Sequence, residues 1–269
     1  MVYYMYLEKM KNKELNIFLL IAFSLVFLSA YSQKETKEQW IKLFNGKDLN
    51  NWIIKIKGHP VNDNYKNTFR VKEGKLCVNY DEYDNFDNAF GHIFYKRPFS
   101  NYRLKLQYRF IGDQLRGGAG WAKRNSGVMI HSQSPESIEL NQDFPVSVEV
   151  QLLGGLSNGK ERPTGNVCTP GTHIRINGKL ITDHCISSSS KTYDGNQWVD
   201  LEILVINDSV IKHFINGKEV ISYNKPVIGG DFNTFKEKEG QALKSGYISL
   251  QSESHPVEFK NIELLELKE

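Results

Sequence analysis

The chain has 269 residues, a formal charge of +3 at pH 7, 24% charged residues and three cysteines. Charges this nearly balanced exclude a polybasic field of the kind that grips nucleic acid. Three cysteines without CxxC or HxxxH spacing speak against a structural zinc centre.

The N-terminus reads as an export signal. Lys9, Lys11 and Lys13 precede an apolar run over residues 17–30 that is too short to span a bilayer comfortably. Small residues at its end, Ala30 and Ser32, predict cleavage near Ser32–Gln33. Translation starting at Met10 would give a more ordinary signal, and an uncleaved anchor is the competing reading. Removal of residues 1–32 takes away three lysines and two glutamates, so the charge falls only to +2. The remaining residues 33–269 fit one large all-β domain, with no transmembrane segment in the mature chain. The expected location is the periplasm, the cell surface or the medium. Oxidising surroundings then favour a Cys168–Cys185 bridge around a Gly- and Pro-containing excursion. On the loop-entropy model such a bridge is worth about 3 kcal/mol. Cys77, inside a strand pattern at residues 75–79, reads as a buried free thiol.

Almost every periodic segment has period two. Tyr102, Leu104, Leu106, Tyr108 and Phe110 alternate with polar residues, as do Val199, Leu201, Ile203 and Val205. Ile248 and Leu250 mark another strand; Phe259, Ile262 and Leu264 mark the last, with an irregularity near Asn261. Asn45–Gly46, Asn177–Gly178, Asn207–Asp208 and Asn216–Gly217 supply turn chemistry for hairpins. This is the pattern of an antiparallel β-sandwich. Six irregular stretches stand between the strands: 59–68, 81–88, 113–123, 132–144, 157–185 and 229–244. Loops of that length in a compact domain usually carry function, here by walling off one face or end of the sandwich.

The strand over residues 146–155 is the most informative. Val146, Val148, Val150 and Leu152 share the core face, while Ser147, Glu149 and Gln151 face away from it. A carboxylate beside an amide on a wet face suits sugar binding or a catalytic base. In residues 125–131 the same alternation places Gly127, Met129 and His131 on one face. Pairing with residues 147–153 would then bring His131 beside Glu149, a carboxylate that can orient or charge it; a solvated strand-end histidine is the competing reading. Arg175, Gln251, Glu253, His255 and Trp121, in a Gly-rich loop, complete the candidates; His213 reads equally as a core histidine. The laminarinase type of glycosidase carries two or three carboxylates on alternate residues of one strand. Glu149-Val-Gln151 has one, which argues against two-carboxylate glycoside hydrolysis from this strand alone.

Several short motifs occur in one order: Leu43-Phe-Asn-Gly-Lys-Asp-Leu49 with Trp52, Asn125-Ser-Gly127, Glu149-Val-Gln151, Asn216-Gly217, Gly246-Tyr-Ile-Ser-Leu-Gln251 and Val257-Glu-Phe-Lys-Asn-Ile262. Over residues 40–267 the chain thereby resembles the 3-keto-disaccharide hydrolase domain family. The resemblance implies a concanavalin A-like jelly-roll sandwich, export, and action on glycosides whose C3 hydroxyl is oxidised to a ketone. It departs from the family pattern in the long 168–185 insertion and in Glu253 and His255, where many members read L-Q-D-H-G.

A 3-ketone acidifies the C2 proton, so one general base can open the reaction. Glu149 is the expected base or metal ligand and His131 the acid or ligand. Gln151 and Arg175 are expected to bind oxygen, with Trp121, Glu253 and His255 on the substrate. A divalent metal ion is one way to stabilise the enolate oxygen, but no cofactor is fixed by these residues. The expected partner is an oxidised glycoside or oligosaccharide. The alternative is a non-catalytic lectin-like binder on the same fold; an ordinary endo-glycosidase would need a second carboxylate, for which Glu253 is the candidate.

Overall fold

A computed structural model describes residues 38–268, together with Tyr3, Met5 and Met10 in the N-terminal segment. The expected signal segment lies otherwise outside the described residues. Among the described residues no helix is long and apolar enough to cross a membrane.

Residues 38–268 form two antiparallel sheets and four short 3-10 turns. The seven-stranded sheet runs, in spatial order, Cys185–Ile186, Asn166–Cys168, Val148–Leu153, Asn125–Ser132, Tyr247–Ser252, Gly91–Tyr95 and Trp52–Ile56. The second sheet has ten strands. Its centre is Lys218–Ile228, Val210–Ile215, Val199–Ile206, Asn101–Phe110 and Val257–Glu266, with Lys75–Val78 and Phe69–Lys72 beyond. Consecutive strands often lie in different sheets, which is jelly-roll connectivity.

Alternation fixes what faces the core. Val128, Ile130, Val148, Val150 and Leu152 of one sheet pack in one apolar cluster with Tyr102, Leu104, Leu201, Ile203 and Val205 of the other. All ten side chains are at most 2% exposed. Each such side chain contributes roughly 1.5–3 kcal/mol on burial. Register is therefore tightly specified, because a slip of one residue would turn this set outward.

The Asn–Gly turns behave unequally. At 177–178 and 216–217 both residues have positive φ, which matches the twist of a two-residue hairpin. Asn45–Gly46 makes no hairpin: the Asn45 side-chain oxygen accepts from the backbone N–H groups of Lys47 and Asp48 and caps a local turn. The irregularity near Asn261 is a bulge, with Asn261 at φ 52° and a register shift between Lys260 and Glu263.

The stretch 157–185 is not a single loop. Asn166–Cys168 extends the seven-stranded sheet, Thr172–Ile176 and Lys179–Ile181 extend the ten-stranded one, and the chain then returns through Cys185–Ile186. Cys168 and Cys185 are register partners and are joined by a disulfide, while Cys77 is free and buried.

Candidate active site

The outer face of the seven-stranded sheet carries a row of polar residues assembled by register. Lys55 pairs with His92, His92 with Gln251, Gly127 with Gln151, and Gln151 with Asn166. Leu250 pairs with Val128, which brings Gln251 alongside Gly127. In the adjacent row Glu149 stands between Met129 and Cys168. Its side chain leans over Gly127: a Cβ at that position would lie 2.5 Å from Glu149 Oε1. Gly127 is thus the space in which the carboxyl group rests.

Above this face lies a cavity of about 600 Å³. Its floor is Asn125, Glu149, Gln151, Leu153 and Glu253. Its walls come from the long connections, with Trp121, Phe144, Arg162, Pro170, His184, Cys185 and Phe232. Four of the six irregular stretches read from the sequence supply these walls. The disulfide holds the His184 side of the cavity against the strand next to Glu149.

Two carboxyl groups converge here. Glu149 is 7% exposed and Glu253 is 3% exposed. Burial pushes the Glu149 carboxyl up to about 8, and no cation offsets it. Burial and the neighbouring Glu149 charge raise Glu253 well above the carboxylate range. The two carboxyls therefore titrate as a pair, both raised above the usual carboxylate range, and retain proton near neutral pH. Glu253 Oε2 and Asn125 Oδ1 have no hydrogen-bond partner.

The Gln151 amide has a defined orientation. Ser188 N–H donates to Asn166 Oδ1, so the Asn166 amino group is the one facing Gln151, and it donates to Gln151 Oε1 over 2.9 Å. The Gln151 amino group is left as a donor for the cavity. Arg162 lines the wall through a guanidinium that donates to the carbonyls of Arg124, Gly154 and Trp121. Burial, then the Arg124 charge, lowers its pKa.

Of the residues expected from sequence, Glu149, Gln151, Glu253 and Trp121 meet at this cavity, and the Cys168–Cys185 bridge borders it. His131 does not. A bulge between Tyr247 and Ser249 displaces the register, and His131 takes φ 48°. Its ring turns from the outer face, and Nε2 hydrogen-bonds Asn207 O in a turn of the other sheet. Burial lowers its pKa to about 4. Arg175 lies in the ten-stranded sheet and donates to Gly178 O across its own hairpin, so it binds nothing in the cavity. His255 is buried against the Phe110 ring, with centroids 5.7 Å apart, and does not line the cavity. His213 is a core histidine, with both ring nitrogens bonded, to Gly165 O and Tyr223 Oη.

Arg162, His184, Asn125 and Phe232 are cavity residues that sequence reasoning had not assigned. His184 is next to Cys185 of the disulfide in the sequence, whereas Arg162 and Phe232 carry no local signal.

Among the described residues no group of three His, Cys, Asp or Glu side chains is placed to hold a metal ion. The floor offers two carboxyls and neutral amides only, which is a sparse donor set for a divalent cation.

A family profile, the 3-keto-alpha-glucoside-1,2-lyase-like domain, matches residues 39–265. The chain belongs to that family. The lyase-like domain thus occupies nearly all of the described chain. Its fold recurs in two solved structures from Parabacteroides distasonis ATCC 8503, each described as a "putative glycosyl hydrolase". One is 20% identical with a TM-score of 0.53, covering 88% of this chain and 98% of its own. The other is 19% identical with a TM-score of 0.51, covering 85% of this chain and 100% of its own. No curated protein matches this chain.

Proposed function

We propose that the protein is an exported enzyme that cleaves 3-keto-glycosides by general-base chemistry at C2. The observation that carries this reading is the pair of buried carboxyls, Glu149 and Glu253, in one cavity beside the free amino group of Gln151. Family membership supports the substrate class.

The Glu149 carboxylate takes the C2 proton, made acidic by the C3 ketone, and the electron pair forms an enolate. The Gln151 amino group donates to the enolate oxygen. The enolate collapses to a C1=C2 double bond conjugated with the ketone. The C1–O bond breaks, and Glu253 gives its proton to the departing oxygen. Glu149 is then protonated and Glu253 ionised. Addition of water reverses these roles. Glu253 takes a proton from water as its oxygen bonds to C1, and Glu149 returns a proton to C2. The products are the free 3-keto sugar and the alcohol, and both carboxyls are reset.

A second reading has a specific observation behind it. Glu253 supplies the second carboxyl that ordinary glycoside hydrolysis requires. A lectin would instead need an aromatic platform without a convergent acid–base pair. The deciding experiment offers a 3-keto-glucoside and the matching unoxidised glucoside in parallel, with product analysis. Cleavage of the oxidised glycoside alone is expected. Equal cleavage of both would favour ordinary hydrolysis, and binding of both without turnover would favour the lectin.

A further inference from the structure

The cavity is chemically two-sided. Its polar atoms are concentrated on the sheet floor, where the reacting sugar must lie. Trp121, Phe144 and Phe232 stand in the cavity walls, and the buried Phe90 ring packs behind them. Trp121 is parallel to Phe90 at 6.2 Å between centroids, and Phe90 meets Phe144 at 5.0 Å. Phe144 meets Phe232 edge-on at 5.4 Å, and Phe232 meets His184 at 5.5 Å.

Two of these rings are unusually open. Trp121 is 54% exposed and Phe232 is 45% exposed, on separate connections that both line the cavity. Phe232 also has φ 63°, a left-handed conformation that is uncommon for a bulky residue. Strained backbone conformations of this kind cluster at active sites and ligand clamps. The strained turn is fixed in place: Gly171 N–H donates to Asp231 O, and Gly229 N–H donates to Gly171 O. A Cβ at Gly171 would lie 3.2 Å from Phe232 O, so the close approach depends on glycine there.

We infer that Trp121 and Phe232 form an aromatic clamp for the leaving group, and that the preferred leaving group is an arylmethyl or aryl alcohol rather than a second sugar. The inference rests on the reaction proposed above and names its substrate class. A second sugar ring carries hydroxyls around its edge that need donors and acceptors. The wall offers it little: His184, and an Arg162 guanidinium already donating to three carbonyls. A flat apolar ring needs no such partners and gains ring contacts instead.

The test compares benzyl, ethyl and glucosyl 3-keto-glucosides. Benzyl alcohol and ethanol are similarly acidic, so their ratio reads contact rather than leaving ability. Binding is measured by calorimetry on the Glu149→Gln protein, and kcat/KM on the unaltered protein. The benzyl compound should lead both others by about tenfold in each measurement. That ratio should shrink to about threefold or less in Trp121→Ala and in Phe232→Leu, whose folding is checked by thermal melting. Equal or better performance of the glucosyl compound, or a ratio untouched by both substitutions, would overturn the clamp. If no compound is turned over, the reaction assignment falls, and the calorimetric ratio still decides the clamp.

Discussion

Two buried glutamates, Glu149 and Glu258, lie on outward-facing positions of the two sheets and are treated oppositely. Glu258, on the ten-stranded sheet, is held by Lys75 Nζ at 3.0 Å and Arg109 Nη2 at 2.7 Å. Burial alone would raise its pKa, but the hydrogen bonds from those two cations prevail and lower it. Glu149, on the seven-stranded sheet, has loops above it and forms no ion pair among the described residues, and burial pushes its carboxyl up to about 8. One sheet face neutralises its carboxylate. The other leaves two carboxyls uncompensated in a cavity, where an acid–base pair near neutrality is worth its cost in stability.

The largest contrast is expected in turnover. Glu149→Gln should reduce kcat/KM on a 3-keto-glucoside by about a thousandfold or more while the fold persists. Glu258→Gln should leave turnover within about twofold. Steady-state kinetics on both proteins breaks the comparison if the two losses are alike.

Stability should separate the two glutamates by the sign of its pH dependence. The folded pKa of Glu149 lies above its unfolded value of 4.5. Its neutral form is therefore fully accommodated below pH 4.5, and stability drains away as pH rises towards 8. Glu149→Gln should then raise the melting temperature at pH 8 and change it little at pH 4. For Glu258 the folded pKa is lowered, so its stabilisation is present above 4.5 and is lost as pH falls through the folded value. Glu258→Gln should lower the melting temperature at pH 8. Matching pH trends in thermal melts of the two proteins would remove the distinction.

The smallest effect sharpens the geometry. Gly127→Ala puts a Cβ where Glu149 Oε1 rests. It should cut kcat/KM by about tenfold with little change in melting temperature, because a displaced base loses alignment before the sheet loses packing. Unchanged kinetics would mean that the carboxyl does not need that space.

Much of this could be read from the sequence, for physical reasons. Period-two alternation over residues 102–110 and 199–205 is enforced by burial of one face, so those strands were legible. So were the Asn177 and Asn216 hairpins, which need positive φ. Glu149 and Gln151 were legible because alternation alone aims them outward. His131 was misplaced because one inserted residue opposite Ile248 reverses a face, and a bulge leaves no trace in composition. The strands inside 157–185 were missed because segments of three to five residues carry too little periodicity. The wall residues Arg162 and Phe232 come from connections whose path depends on contacts far along the chain. Glu253 could be named as a candidate, but its convergence with Glu149 is a property of strand order.

The central claim, that Glu149 acts on a carbon-bound proton at C2, has a direct test. A 3-keto-glucoside deuterated at C2 is compared with its protium form for kcat/KM on the unaltered protein. Slower cleavage of the deuterated compound, a clear primary isotope effect, is the predicted result. Equal rates, with C2 deuterium retained in the product, would contradict the account and point to direct displacement at C1.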